Sequence, residues 1–247
     1  MFLRTITIDG SVPVADIVKS DYRTADVFLK YDIEFCCGGK WPLEMVCASK
    51  NLDITVLISE LENASRTVQV SNNLRFAEWS TGFLADYIVN VHHQYTKTAL
   101  PVVVEYVKRF LDGHLKKFPE LENLQSLVNT LHDYFLSHMQ QEEEIFFPYI
   151  KQITHAHLHR EPYGSLLVRT LRKPLQELSN QEHELLNKLL GEIREITRQY
   201  TIPPNACVTH RVTFSKLKEL DSDLAQHMHL ENYILFPKAI QIEKELI

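Results

Sequence analysis

Two eleven-residue segments, HMQQEEEIFFP from His138 and HMHLENYILFP from His227, carry one pattern: His, three residues, Glu, five residues, Pro, with Phe immediately before the Pro. His138 and His227, Glu142 and Glu231, and Pro148 and Pro237 are each 89 positions apart, and His93 and His183 are 90 apart. Self-similarity at a fixed offset means that one structural unit occurs twice. The spacing also names the unit. Residues i and i+4 lie above one another on a helix, so His138 projects with Glu142 and His227 with Glu231. With only 7 glycines among 247 residues, a many-turned β protein is disfavoured and long helices with few connections are favoured.

Four long helical stretches follow residue 79. The first, about 80–112, contains Pro101, where a kink or break is expected. The second, about 119–150, has Pro119 at its first position. The third, about 174–200, is again entered through a proline, Pro174, and the fourth covers about 208–245. ITHAHLHREPYGS reads as a polar loop between the second and third, and TIPPNA joins the third to the fourth. The expected fold is all-α: an up-down-up-down four-helix bundle at 79–247. A small helical domain at 1–62 and a linker at 63–78 precede it. In the small domain, ADIVKSDYRTADVFLKYDI has apolar residues at helical spacing with Asp21 or Thr24 as a cap. PLEMVCASKN and LDITVLISELENA read as two further short helices.

An isolated His-x-x-x-Glu is ordinarily a surface contact worth about 0.2–0.5 kcal/mol. Surface pairs give no reason for His93, His138 and Glu142 to recur in register as His183, His227 and Glu231. A buried site shared by all four helices does. Four imidazoles and two carboxylates suit a pair of metal ions, with each Glu able to bridge. The nitrogen–oxygen set without thiolate fits iron or manganese better than four-coordinate structural zinc. His92, beside His93, is a minor competitor. His157 and Glu161 repeat the spacing but lie in the polar stretch without the Phe-Pro tail, and are read as a decoy. His229 is expected to be exposed or to flank the site, and His114, His132, His155, His159 and His210 have no counterpart at the internal offset.

The adjacent pair Cys36–Cys37, followed by Gly38–Gly39, is no ordinary structural disulfide, because vicinal cysteines close only a strained ring. These thiols are either accessible to a partner or small molecule, or small core residues. Cys47 and Cys207 stand alone and are expected to pack in the core. A formal charge of −6 without a Lys/Arg cluster disfavours nucleic acid as a partner. No run of about 18 apolar residues could span a membrane, and the N-terminus lacks the charged and apolar regions of a signal peptide. A reducing, cytoplasmic location is expected.

RTADVFLKYDIEFCCGGKWPLEMVC, HHQYTKTALP, SHMQQEEEIFFP, QEHELLNKL, PPNAC and HMHLENYILFP together resemble the iron–sulfur cluster repair di-iron proteins. That family joins a short Cys-Cys domain to a hemerythrin-like domain, and the resemblance runs essentially end to end. It implies two iron ions per chain, oxo- or hydroxo-bridged, on His93, His138, Glu142, His183, His227 and Glu231. It marks Cys36 and Cys37 as the family's N-terminal Cys-Cys motif, which makes them candidate redox or iron-transfer thiols. It implies repair, through iron donation, of clusters damaged by oxidative or nitrosative stress, with proteins carrying such clusters as partners and nitric oxide or oxygen species as small ligands. Two alternatives share the ligand set: an enzyme reducing nitric oxide or peroxide, and an oxygen carrier or sensor. Exposed thiols on a small domain are compatible with a homodimer.

Overall fold

The computed structural model describes residues 3–4, 7–36, 39–65, 67–68, 74–169 and 175–247. The chain packs as two units, Met1–Leu74 with Tyr200–Lys216, and Arg75–Gln199 with Leu217–Ile247. Residues 200–216, which the sequence reading places in the bundle span, therefore pack with the N-terminal unit.

The first unit contains α1 (Val14–Ser20), α2 (Thr24–Lys30), α3 (Leu43–Lys50) and α4 (Ile54–Ala64), with an antiparallel pair of two-residue strands, β1 (Leu3–Arg4) and β2 (Thr67–Val68). Each helix contributes an apolar stripe: Ile17 and Val18, Ala25 and Phe28, Leu43 and Cys47, Leu57 and Leu61 are all buried. Burying a side chain such as Phe28 or Leu57 contributes about 1.5–3 kcal/mol. Asp21 turns the chain into α2, its carboxylate accepting the Arg23 N–H at 3.0 Å. Asp53 caps α4 by accepting the N–H groups of Thr55 at 2.8 Å and Val56 at 3.4 Å. Gly39 is buried where a Cβ would collide with the Phe35 carbonyl. Only glycine permits that approach, and Gly39 then accepts the N–H of Ala15 at 2.8 Å.

The second unit holds the four-helix bundle. Its first long helix is α5 (Thr81–Tyr87), a π-helical turn (Ile88–His93) and α6 (Gln94–His114); it continues through Pro101 rather than breaking there. The second is α7 (Leu124–Gln141), a π turn (Glu142–Phe146) and α8 (Phe147–His159). After the short α9 (Gly164–Val168), the third is α10 (Leu175–Ile196). Pro174 lies outside the described residues. The fourth is α11 (Val208–Leu230), a π turn (Glu231–Leu235) and α12 (Phe236–Leu246). No described helix is long and apolar enough to cross a membrane.

The second helix overturns the loop expected for ITHAHLHREPYGS, since α8 runs on to His159 and ends only at Arg160, whose φ of 51° is left-handed. The reason lies at Pro148, which cannot donate a hydrogen bond and whose ring clashes with a normal helical carbonyl. The preceding π turn widens the backbone there. The Phe147 N–H bonds back five residues to the Glu142 carbonyl, and Phe236 does the same to Glu231 ahead of Pro237. The helix thus passes its proline and buries Ile150, Ile153 and Ala156 on one face. Those residues join Phe146, Phe147, Leu230, Leu235 and Phe236 in an apolar cluster closing one end of the bundle.

Candidate metal centre

Six buried polar side chains converge between the four long helices. His93 comes from the end of the first π turn, His138 from the last turn of α7 and His183 from α10. His227 comes from the last turn of α11, and Glu142 and Glu231 open the second and third π turns. Relative exposure is 4% for His183 and at most 2% for the other five. π turns are rare and collect at functional sites. Here two of them begin at the carboxylates, leaving the His-to-Glu interval α-helical so that both side chains of each pair face inward.

The six residues form two overlapping groups, His93, Glu142, His227 and Glu231, and His138, Glu142, His183 and Glu231, with the donor atoms of each group within 4.8 Å of one another. Both carboxylates belong to both groups. Each group takes one histidine from either half of the repeat, a crossing that sequence offsets do not reveal.

Imidazole-to-carboxylate separations are short: His93 to Glu142 3.3 Å, His138 to Glu142 3.1 Å, His183 to Glu231 3.3 Å, and His227 to Glu231 2.9 Å and to Glu142 3.7 Å. Yet Nε2 of His93, His183 and His227 and all four carboxylate oxygens lack hydrogen-bond alignment. Buried acceptors facing one another without bonds are costly. A cation at their centre satisfies them all, so the donor set fits a metal.

Electrostatics point the same way. Burial alone would lower the His227 pKa, but the charges of Glu231 and Glu142 outweigh it and lift the imidazole to about 10. Burial pushes the Glu142 carboxyl up, while the stronger pull of His138, His227 and His93 holds it well below the usual carboxylate range. Two carboxylates in a dry pocket require positive charge, supplied by a proton on imidazole or by a metal ion.

Residues 84–239 match the family described as Hemerythrin HHE cation binding domain, and residues 10–65 match the family described as Domain of Unknown function (DUF542). "Iron-sulfur cluster repair protein YtfE" of Enterobacter sp. (strain 638) is 30% identical over 231 residues, 92% of this chain and 96% of the relative. The protein of that name from Escherichia coli O81 (strain ED1a) is 31% identical over 232 residues, with the same coverage. The chain belongs to the iron–sulfur cluster repair family with a hemerythrin HHE domain.

In this repair-family chain, three further side chains bear on the centre that sequence reasoning did not find. His93 Nδ1–H donates to Glu143 Oε1 at 2.7 Å, and Lys97 Nζ donates to the same oxygen at 2.7 Å. His183 Nδ1–H donates to Asn232 Oδ1 at 2.6 Å. Such bonds fix the tautomer and aim Nε2 at a metal. Glu143 and Asn232 each follow a site glutamate and so sit at the same offset of 89. That offset was the available signal. Asp223 Oδ1 lies 2.9 Å from Nδ1 of His92, which turns His92 away from the two groups. His157 pairs with Glu245 at 2.7 Å rather than with Glu161, and exposed His229 stacks on Tyr233. His210 and Cys207 pack in the first unit. Cys36 is half-buried, and Cys37 lies outside the described residues.

Proposed function

We propose that this protein repairs iron–sulfur clusters damaged by oxidative or nitrosative stress and that iron is its cargo. The observation that carries the reading is the pair of four-residue groups sharing Glu142 and Glu231, in a chain whose relatives are named iron–sulfur cluster repair proteins. In this reading two iron ions, joined by an oxo or hydroxo bridge, take His93, His138, Glu142, His183, His227 and Glu231 as ligands. The bundle, 79–247 without the 200–216 segment that packs with the first unit, is the metal-holding domain, and 1–62 is the domain that carries Cys36 and Cys37. Bound iron supplies coordination positions open to nitric oxide or an oxygen species.

The chain's own residues do the holding and the letting go. Glu143 and Asn232 keep His93 and His183 aimed. Ligands must be deprotonated to bind metal, so a proton returning to His227 competes directly with iron. The apolar end cluster keeps water from the pocket. Cys36 and Cys37 act as thiols toward the client or toward iron in transit, and a reducing cytoplasm keeps them competent.

The test is transfer. The full chain is loaded with ferrous iron and mixed anaerobically with a dehydratase whose cluster has been damaged by nitric oxide or peroxide. Recovery of dehydratase activity, with matching loss of iron from the donor, is expected. An inactive client beside a donor that keeps its iron refutes the proposal.

A further inference from the structure

The two halves of the repeat match at the six converging residues but not behind them. His93 Nδ1–H donates to Glu143 Oε1 at 2.7 Å, and His183 Nδ1–H donates to Asn232 Oδ1 at 2.6 Å. The two acceptors hold equivalent places, 89 positions apart, yet one is a carboxylate and the other an amide. The difference extends one residue further out. Lys97 Nζ donates to both Glu143 oxygens, at 2.7 and 3.0 Å. The position that follows Lys97 by the 90 residues separating His93 from His183 is Asn187, which is neutral. One half of the repeat backs its histidine with a charged pair, and the other has only amides in those places.

His93 and His183 belong to different groups. His93 joins His227, His183 joins His138, and Glu142 and Glu231 are common to both. The shared carboxylates therefore do not distinguish the two positions, but the bonds behind the histidines do. A carboxylate acceptor draws the Nδ1 proton toward itself and makes Nε2 a stronger donor to a metal. A hydrogen bond to an ionised acceptor is also roughly twice as strong as one between neutral groups. Lys97 takes up part of the Glu143 charge, yet its ammonium keeps that carboxyl ionised. Asn232 has no ionised form, so it holds the His183 ring in line without strengthening it. Both imidazoles are buried, where solvent and salt screen such differences least.

We infer that the two metal positions are unequal in hold: the ion seated by His93 and His227 is retained, and the ion seated by His138 and His183 leaves first and is the iron passed to a client. The inference rests on the repair reading and specifies which ion is the cargo. The inequality also protects the fold. An ion retained beside His93 still touches Glu142 and Glu231 after the other has gone, so neither buried carboxylate is left without positive charge.

The test follows metal release with no client present. The full chain is loaded anaerobically with two equivalents of ferrous iron, freed of excess and mixed with excess ferrozine, whose coloured complex reports each ion as it leaves. Two equal phases are expected, about tenfold apart in rate. N232D supplies the missing carboxylate and slows the fast phase toward the slow one. E143Q removes the charge and speeds the slow phase toward the fast one. Both substitutions keep side-chain size and an acceptor oxygen, and circular dichroism confirms the fold; should one variant fail to fold, the other decides. Release of both ions in a single phase, a response of the same phase to both variants, or E143Q acting on the fast phase overturns the inequality and leaves the repair reading standing. Two phases that respond as expected, beside a client that gains no iron, overturn the repair reading and the cargo assignment with it.

Discussion

Metal uptake should release protons, and the pocket says how many to expect. Without metal, His227 carries a proton across the neutral range because its pKa is raised to about 10. Glu142, held well below the usual carboxylate range, is already ionised there and contributes none. A metal ion that takes His227 Nε2 must displace that proton. The apparent affinity then rises as pH rises, by about tenfold or 1.4 kcal/mol per unit for each proton displaced. From pH 6.5 to 8.5 this predicts a Kd for ferrous iron tighter by roughly 100-fold. Anaerobic competition against a chelator corrected for its own protonation measures it, and calorimetry in buffers of different ionisation heat counts the protons. A flat Kd over this range, or uptake with no proton release, would refute the charge argument. The metal-free fold carries the companion effect. A folded-state pKa raised above the usual value near 6.5 gives stability that is complete below 6.5 and lost as pH rises toward about 10. Thermal unfolding of the metal-free chain should show that loss, and His227→Gln should flatten it.

Glu142→Leu and Glu231→Leu should each lower iron occupancy, read by elemental analysis, because each removes a donor from both groups, whereas Glu161→Leu should leave it unchanged. Glu143→Ala and Asn232→Ala remove the acceptors that orient His93 and His183. They should weaken metal binding by about 10–100-fold with little change in helicity by circular dichroism. Phe135→Ala empties a fully buried position whose ring meets His227 edge-on at 5.4 Å, at a cost of about 3–5 kcal/mol in denaturant unfolding. Asp53→Ala removes the cap of α4 and should cost about 1 kcal/mol by the same measurement.

The six converging residues were readable because helix geometry ties spacing to direction. His and Glu four apart face one way, and their recurrence at one offset leaves a shared interior as the economical explanation. Which histidine joins which group was not readable, because offsets carry no information on how helices cross. The run of α8 to His159 was hidden for a different reason. ITHAHLHREPYGS is polar and so reads as a loop, and the π turn from Glu142, a backbone irregularity without a residue signature, carries the helix past Pro148 and into that stretch. Residues 200–216 pack with the first unit, a long-range choice no local pattern encodes.

The π turns, the buried charge and the apolar end cluster form one argument. A bundle that buries two carboxylates among four imidazoles gives up the solvation of both charges, a cost offset only by positive charge held between them, a proton on His227 or a metal ion. The same segments that create the problem also shield it: each site glutamate opens a π turn, and the Phe-Pro step after it turns bulky side chains into the end cluster. Excluding water strengthens every attraction between those carboxylates and whatever cation sits between them. The repeated sentence in the sequence therefore writes a donor and its dry wall together. A pocket built this way favours a multivalent cation over one proton on His227, and lets the cation leave when protons become abundant.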